Sequence, residues 1–203
     1  MPRQVDHAQR RRQIAEAVWR LAAGQGLEDV SLRKVAEEAG VSMRLVQYYF
    51  GTRSGLLVEA LKILNVEAEG QARQRISQGS HATAEDVVVQ VLMELLPLDD
   101  QRRLRHTVYA AYFVRLLHDQ DLAQAAGQAA SSLDETLSAL LQQLMGGQYA
   151  GSELVRAEAE LLEAVASGLQ ARMLLGDLDG SRAIELLHHQ VRRAFDAIAR
   201  AQT

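Results

Sequence analysis

Residues 31–53 read SLRKVAEEAGVSMRLVQYYFGTR, and this stretch predicts two short helices joined by a sharp turn. The apolar residues of its first half recur at intervals of three and four, the spacing of a helix face that packs on a core; they are Leu32, Val35, Ala36 and Ala39. Ser31 can cap the exposed amides at the start of this helix, and Gly40 can end it in the left-handed backbone conformation. The first helix is therefore predicted to start at about Leu32 and to end before Gly40.

The second helix is predicted to begin after Ser42, which can cap it, and to end at Gly51. A helix of about two turns is unstable alone, so its neighbours must hold it in place. Its predicted core contacts are Val46 and Phe50, with Leu45 or Tyr49 at the margin. The residues left for solvent or a partner are Met43, Arg44, Gln47 and Tyr48.

Two helices joined by a tight turn, the second presenting amide, cationic and phenolic groups, favour a helix-turn-helix whose second helix enters a DNA major groove. For an arbitrary pair of helices, the alternative is an ordinary helical corner. The residues that surround this pair decide in favour of the first interpretation.

Small, apolar, glycine and aromatic residues follow one another in a fixed order and spacing along this part of the chain. The pattern comprises Leu32–Ala36, Ala39–Ser42, Tyr48–Phe50 and Gly51–Leu57, with Ile14, Ala17 and Gly24–Leu27 upstream. In this pattern the chain resembles the tetracycline-repressor-like (TetR) family of transcriptional regulators. A second stretch, 166–174, resembles the body of the subgroup that includes the choline-responsive BetI-like repressors. This second likeness identifies no ligand.

The composition is that of a nearly all-helical protein. Of 203 residues, 48% are hydrophobic and two are proline, and no stretch alternates at the period of a strand. We expect an all-α fold of about nine helices. Residues 1–55 would form a three-helix DNA-binding domain with the helix-turn-helix, and residues 56–203 a helical ligand-binding and dimerisation domain.

Charge is unevenly distributed along the chain, although chance fluctuation is an alternative explanation. Residues 1–55 carry nine Lys and Arg against six Asp and Glu, a net charge of +3, whereas the whole chain has −4. A positive N-terminal domain places the attraction for phosphate at one end of the chain. Since the successive arginines 10–12 cannot all face one core, we expect at least two to be exposed, either near a DNA backbone or as a solubilising cluster.

The next candidate site is a predicted helix over about residues 101–118. Three of the eight Tyr and Phe residues of the chain lie in one five-residue stretch of this helix, 109–113. Such a cluster suits the wall of a cavity for a mostly apolar ligand. Plain core packing is the alternative. With two residues of the BetI-like stretch, the predicted ligand-binding residues are Tyr109, Tyr112, Phe113, Leu116, Leu169 and Met173. A further helix is predicted through Leu122–Leu144.

The last two predicted helices differ from the others in having broad apolar faces. The spacings of 3, 4, 4 and 3 from Ile184 to Ile198 are those of a helix packed at a shallow angle on another. Such an antiparallel pair would form a four-helix interface with a second copy. The predicted dimer-interface residues are Leu161, Val165, Ile184, Leu187, Val191 and Phe195.

Several classes of chemistry have no support in the sequence. Without cysteine the chain has neither disulfides nor thiolate metal sites, which fits a cytoplasmic protein. No catalytic or phosphate-cradling motif is present, so we expect no enzyme activity, no metal site and no cofactor. No run has the character of a signal peptide or the length of a membrane span, so no membrane partner is expected.

The resemblance implies a ligand-responsive regulator, most often a repressor, whose partners are double-stranded operator DNA, a second copy of itself and an unknown small-molecule effector. The implied base contacts are Arg33, Met43, Arg44 and Gln47. The implied phosphate contacts are Ser31, Ser42, Tyr48, Tyr49 and Arg53. The alternative function is a helical small-molecule-binding protein or enzyme that keeps its DNA-binding domain only as a remnant.

Overall fold

A computed structural model describes residues 2–79, 83–120, 122–124, 137–143 and 153–200, with side chains from residue 7 onward. Its helices are α1 (Pro2–Gln25), α2 (Leu32–Ala39), α3 (Met43–Phe50), α4 (Arg53–Gln78), α5 (Ala84–Met93), α6 (Asp100–Leu116), α7 (Glu153–Leu175) and α8 (Gly180–Arg200). Residues 122–124 and 137–143 are also helical, and the rest of the helix predicted through Leu122–Leu144 lies outside the described residues. No strand occurs in these ranges, which confirms the all-α prediction.

The ends of α2 and α3 follow the local signals of the sequence. The hydroxyl oxygens of Ser31 and Ser42 accept hydrogen bonds from the backbone N–H groups three residues later, each at 3.2 Å. Gly40 ends α2 with φ 64° and Gly51 ends α3 with φ 68°, a region in which a Cβ is unfavourable. The predicted bounds of both helices are confirmed.

Contacts divide the chain into two compact units. The first comprises Met1–Gly70 and Thr107–Ala129, and the second comprises Gln71–His106 and Ala130–Thr203. The division differs from the boundary expected after residue 55. It differs because the apolar face of α4, from Leu56 to Leu64, is buried in the same core as α1, α2 and α3.

The core of the first unit packs α1 to α3 against the start of α4. Its fully buried members include Ile14, Val18, Val35, Val46, Leu57 and Leu61. Two aromatic residues buried in this core hydrogen-bond to the backbone of α4: Trp19 donates its indole N–H to the carbonyl oxygen of Ala60, and Tyr112 donates its hydroxyl to that of Leu57, both at 3.0 Å. These bonds satisfy the polar atoms that burial takes from water.

In the second unit, α5, α7 and α8 pack on one another. The stripe of α8 that predicted the dimer seam faces this internal core, since Leu187 and Val191 are fully buried within one chain. The assignment of these two residues to a surface between copies is therefore wrong. Their spacing reports a helix packed on a helix, and periodicity alone cannot say whether the second helix belongs to the same chain.

A largely buried group of charged side chains connects α4, the end of α5 and α6 in the second unit. The carboxylate of Glu94 accepts two hydrogen bonds from the Arg75 guanidinium, at 2.8 and 2.6 Å, and has Arg102 at 3.4 Å and Arg105 at 3.9 Å. Its bond raises the pKa of Arg75. Asp99 also pairs with Arg102, at 2.8 Å. Two carboxylates thus face three cations, and removing the charge of Glu94 would leave uncompensated positive charge in a poorly hydrated place.

His106 lies beside this group, and its Nε2 is 3.2 Å from the Glu94 carbonyl oxygen. Burial, followed by the positive charge of Arg105, lowers its pKa from 6.5 to about 4. The side chain is therefore neutral in the folded protein at neutral pH.

Replacing Glu94 with glutamine keeps the shape of the side chain and removes its charge. We expect Glu94→Gln to lower the free energy of unfolding by about 3 kcal/mol, because Arg75 loses the carboxylate charge to which it is hydrogen-bonded. Urea denaturation at fixed protein concentration measures the change. The matched control is Glu185→Gln, since its pair with Arg182 is solvent-exposed and should contribute less than about 1 kcal/mol. Equal effects of the two variants would contradict the assignment.

The pKa of His106 also predicts a pH dependence of stability. Between pH 6.5 and about 4 the unfolded chain protonates this histidine and the folded chain does not, so stability falls as the pH is lowered through that window. The loss is at most about 3 kcal/mol. In the same denaturation experiment, His106→Gln should flatten the pH profile over this window. An unchanged profile would show that other groups cause the acid sensitivity.

Candidate nucleic-acid interface

The candidate recognition surface is the outer face of α3. Val46 and Phe50 anchor this helix in the core of the first unit, and its other side remains open to solvent. Tyr48 is 74% exposed and Met43 50%. Arg44 and Gln47 are exposed as well. The structure therefore brings the four side chains that the sequence left for a partner onto one accessible helix.

Arg44 differs from the other cations of the N-terminal region. Among the described side chains of residues 7–55, each other Lys or Arg makes an ion pair or a hydrogen bond within the first unit. Arg44 makes neither with any described residue. A guanidinium without a partner can turn its donors to the two acceptors on a guanine edge without first breaking a bond.

The start of α2 carries the remaining predicted base contact. Arg33 is 81% exposed and its only described partner is Glu37, one turn later on the same helix at 3.0 Å. Exposed pairs of this type contribute little, so a nucleic acid can displace the carboxylate. Ser31 and Ser42 use their hydroxyl oxygens as helix caps, which leaves each hydroxyl hydrogen available to a phosphate oxygen.

Tyr48 and Tyr49, near the C-terminal end of α3, form an aromatic cluster with ring centroids 5.2 Å apart. His7 of α1 joins it, because its Nδ1 lies 2.7 Å from the Tyr49 hydroxyl oxygen. His7 was not among the site residues predicted from the sequence. It precedes its partner by 42 residues, and a lone histidine near a chain start carries no local signal of such a contact.

Arg53 was predicted to hold a phosphate at the start of α4. Its guanidinium instead points at the loop before α2, where it donates to the carbonyl oxygens of Val30 at 2.6 Å, Leu27 at 2.7 Å and Glu28 at 3.3 Å. A side chain with three backbone acceptors fastens the helix-turn-helix to α4. These bonds use Nε and Nη2 and give Arg53 a structural role, while its predicted phosphate contact stays a prediction.

The arginines at 10–12 are also more engaged than expected. Arg11 pairs with Glu59 at 2.6 Å and Arg12 with Glu67 at 2.7 Å, both carboxylates lying on α4. Of the three arginines Arg12 is exposed, whereas Arg10 and Arg11 are half-buried, so the expectation of at least two exposed side chains is wrong. The acidic face of α4 supplied the partners, and nothing in the local sequence of α1 indicated them.

The predicted ligand-binding residues belong to both units. In the first unit, Tyr109 donates its hydroxyl to the Asn65 side chain at 2.6 Å, and Leu116 is half-buried. Tyr112 is fully buried, whereas Phe113 is 61% exposed. In the second unit, the predicted pair Leu169 and Met173 is buried in the core. Their role toward an effector stays a prediction.

The predicted interface residues that remain at the surface of the second unit are Leu161, Val165, Ile184 and Phe195. Leu161 is 52% exposed and the other three are partly buried. An exposed leucine on a long helix, with a partly buried valine one turn further along, is an arrangement that a second protein surface can cover.

Two kinds of site are absent from the part of the chain that the structure describes. No three His, Asp or Glu residues come together there as metal ligands. None of the described helices combines the length and the apolar character needed to cross a membrane.

Two family models match the chain. One, described as bacterial regulatory proteins of the tetR family, matches residues 14–60. The other, described as BetI-type transcriptional repressor, C-terminal, matches residues 84–196. The first therefore covers the helices of the recognition surface, and the second covers most of the body.

Similar proteins are transcriptional regulators and not enzymes. The HTH-type transcriptional regulator PksA of Bacillus subtilis is 31% identical over 176 residues, which cover 86% of this chain and 83% of that protein. A transcriptional regulator from Rhodococcus sp. Rha1 has a TM-score of 0.79 at 26% identity, covering 92% of this chain and 96% of that one. A regulator from Saccharomonospora viridis, solved in complex with choline, has a TM-score of 0.75 at 21% identity, covering 93% and 96%. That last likeness shows the fold alone.

The role of Arg53 is tested by Arg53→Lys, which keeps the charge but cannot reach three carbonyl oxygens with one ammonium group. We expect the free energy of unfolding to fall by about 2 kcal/mol. Urea denaturation checks this, with the exposed Arg33→Lys as the matched control. Unchanged stability together with weaker binding to random DNA would instead support the phosphate contact.

Proposed function

Since the chain belongs to the TetR family of bacterial transcriptional regulators, we propose that it binds a palindromic operator as a homodimer, represses transcription there and is released by a small-molecule effector. The observation that carries this proposal is the outer face of α3, where Arg44 stands exposed and unpaired among the described residues beside Met43, Gln47 and Tyr48.

Base recognition in this proposal falls to α3 and the start of α2. Arg44 donates two hydrogen bonds to the O6 and N7 atoms of a guanine, and Gln47 can pair with the donor and acceptor of an adenine edge. Met43 supplies an apolar contact of the kind that a thymine methyl group accepts. Arg33 exchanges Glu37 for a base acceptor at the edge of the site.

Phosphate contacts orient these side chains on the duplex. The hydroxyl groups of Ser31 and Ser42 lie at the N-termini of α2 and α3, where free backbone N–H groups also favour an anion. The exposed phenol of Tyr48 adds a further donor. Phosphate contacts carry no sequence information, so they add affinity on every DNA and weaken as salt rises.

Dimerisation through α7 and α8 would supply the symmetry that a palindrome requires. The exposed Leu161 and the partly buried Val165, Ile184 and Phe195 are the apolar residues proposed for this surface. Two copies related by a dyad place two recognition helices in successive major grooves. The half-sites are then about one helical turn apart or somewhat more.

Release by an effector is a coupling between two binding sites. To matter it must amount to roughly 1 to 3 kcal/mol, and it must be reciprocal, so DNA weakens effector binding by the same factor. The BetI-type match over the body, and the choline in the Saccharomonospora viridis regulator, support a small organic effector. Choline is therefore the first compound to titrate against the operator complex.

Arg44→Ala tests the proposed base contact. The operator is first located by gel shift on the DNA that flanks the protein's own gene. We expect the variant to bind this operator roughly 5- to 150-fold more weakly, the equivalent of 1 to 3 kcal/mol, and random DNA almost as well as the unchanged protein. Size-exclusion chromatography should show the same oligomeric state.

The matched control is Arg182→Ala, which removes one exposed positive charge from the second unit. It should leave operator affinity unchanged. Equal weakening of operator and random DNA by Arg44→Ala would contradict the base contact. Failure of the unchanged protein to bind any DNA would favour a small-molecule-binding protein with a vestigial DNA-binding domain.

A further inference from the structure

We propose that His7 is an additional DNA phosphate contact, and that the hydrogen bond between its imidazole and the Tyr49 hydroxyl makes DNA affinity rise as that imidazole takes up a proton. The inference rests on the proposed DNA-binding function and adds a residue and a pH response to it. The base contacts proposed for α3 involve neither His7 nor a pH response.

Two sets of contacts hold the start of α1 against the end of α3. His7 Nδ1 lies 2.7 Å from the Tyr49 hydroxyl oxygen, and the two rings meet edge to face with centroids 5.7 Å apart. On the other side, Arg11 lies over the Phe50 ring at 5.1 Å and donates to the Tyr49 carbonyl oxygen at 3.4 Å. The start of α1 is thereby fixed against the end of α3, next to the exposed Tyr48.

The polarity of this hydrogen bond depends on the protonation of His7. When the neutral ring carries its proton on Nε2, the Tyr49 hydroxyl donates to Nδ1 and its hydrogen is unavailable to a phosphate. When the neutral ring carries its proton on Nδ1, the hydroxyl is free but Nε2 presents a lone pair. Each neutral tautomer therefore offers one outward donor.

The protonated ring removes this restriction. Its Nδ1–H donates to the Tyr49 oxygen, so the hydroxyl hydrogen and the Nε2–H are both available, and the ring carries a positive charge. Phosphate oxygens only accept hydrogen bonds, and bonds from a charged donor are about twice as strong as neutral ones. A phosphate at this position therefore binds the protonated pair more tightly than either neutral form.

The charges around His7 allow this response. Arg10 and Arg11 lie on the same helix, α3 presents Arg44 and Tyr48, and α4 contributes Glu59, which is already paired with Arg11 at 2.6 Å. No described carboxylate makes a hydrogen bond or ion pair with His7 in the free protein. A DNA phosphate would supply a negative charge beside the ring, and an opposite charge favours the protonated form of an imidazole.

Proton linkage fixes the sign of the effect. If the complex binds a proton at His7 more tightly than the free protein does, affinity rises as pH falls, by at most about tenfold per pH unit for each proton taken up. A dimer has two copies of His7 and therefore takes up at most two protons at this position. Because the contact is to phosphate, random DNA should show the same response as the operator.

The experiment compares the full-length protein with His7→Gln, since glutamine can still hydrogen-bond to the Tyr49 hydroxyl but cannot take up a proton. Binding to operator and to random duplexes is followed by fluorescence anisotropy from pH 8.5 to 6 at constant ionic strength. Calorimetry in buffers of different ionisation enthalpy counts the protons taken up. We expect the DNA affinity of the unchanged protein to rise about threefold or more for each DNA-binding domain as the pH falls from 8.5 to 6. His7→Gln should lose most of this rise.

The matched control is His189→Gln, an exposed histidine of α8 in the second unit, which should behave like the unchanged protein. The inference is overturned if His7→Gln keeps the full pH response and proton uptake while the protein binds its operator. Absence of DNA binding by the unchanged protein at every pH would overturn the proposed function, and the two failures are thus distinguishable.

Discussion

The candidate nucleic-acid interface depends on α3, a helix of eight residues, and a helix this short cannot maintain its own structure in water. Packing must therefore supply the orientation of α3, which it does through Val46 and Phe50, both buried in the core of the first unit. Because these two residues fix which side of the helix is inside, they also fix which side is outside. The exposure of Arg44, Gln47 and Tyr48 is a consequence of that anchoring.

The surroundings of α3 are organised by charge as well as by burial. Arg53 fastens the loop before α2, Arg11 and Arg12 bind carboxylates of α4, and Arg33 has a partner on its own helix. The formal excess of +3 over residues 1–55 is thus partly neutralised by acidic residues further along the chain. Among the Lys and Arg side chains described in residues 7–55, Arg44 is the one that makes no ion pair or hydrogen bond with another described residue.

Short-range features could be predicted from the sequence, and long-range ones could not. Ser31, Gly40, Ser42 and Gly51 act within a few residues of themselves, so their identities were enough to place the ends of α2 and α3. Arg75, which donates two hydrogen bonds to Glu94, lies 19 residues away from it, and the partner of His7 lies 42 residues away. No local pattern encodes such contacts. The buried stripe on α8 shows the same limit, because its periodicity identifies a packed face but not what packs on it.

Chemical protection of an operator by dimethyl sulfate tests the placement of α3 most directly, because this reagent methylates guanine N7 in the major groove and adenine N3 in the minor groove. We expect the protein to protect guanines at two symmetry-related positions about one helical turn apart or somewhat more. Protection confined to adenines of the minor groove, or a single protected position without a symmetric counterpart, would contradict a dimer that reads DNA with this helix.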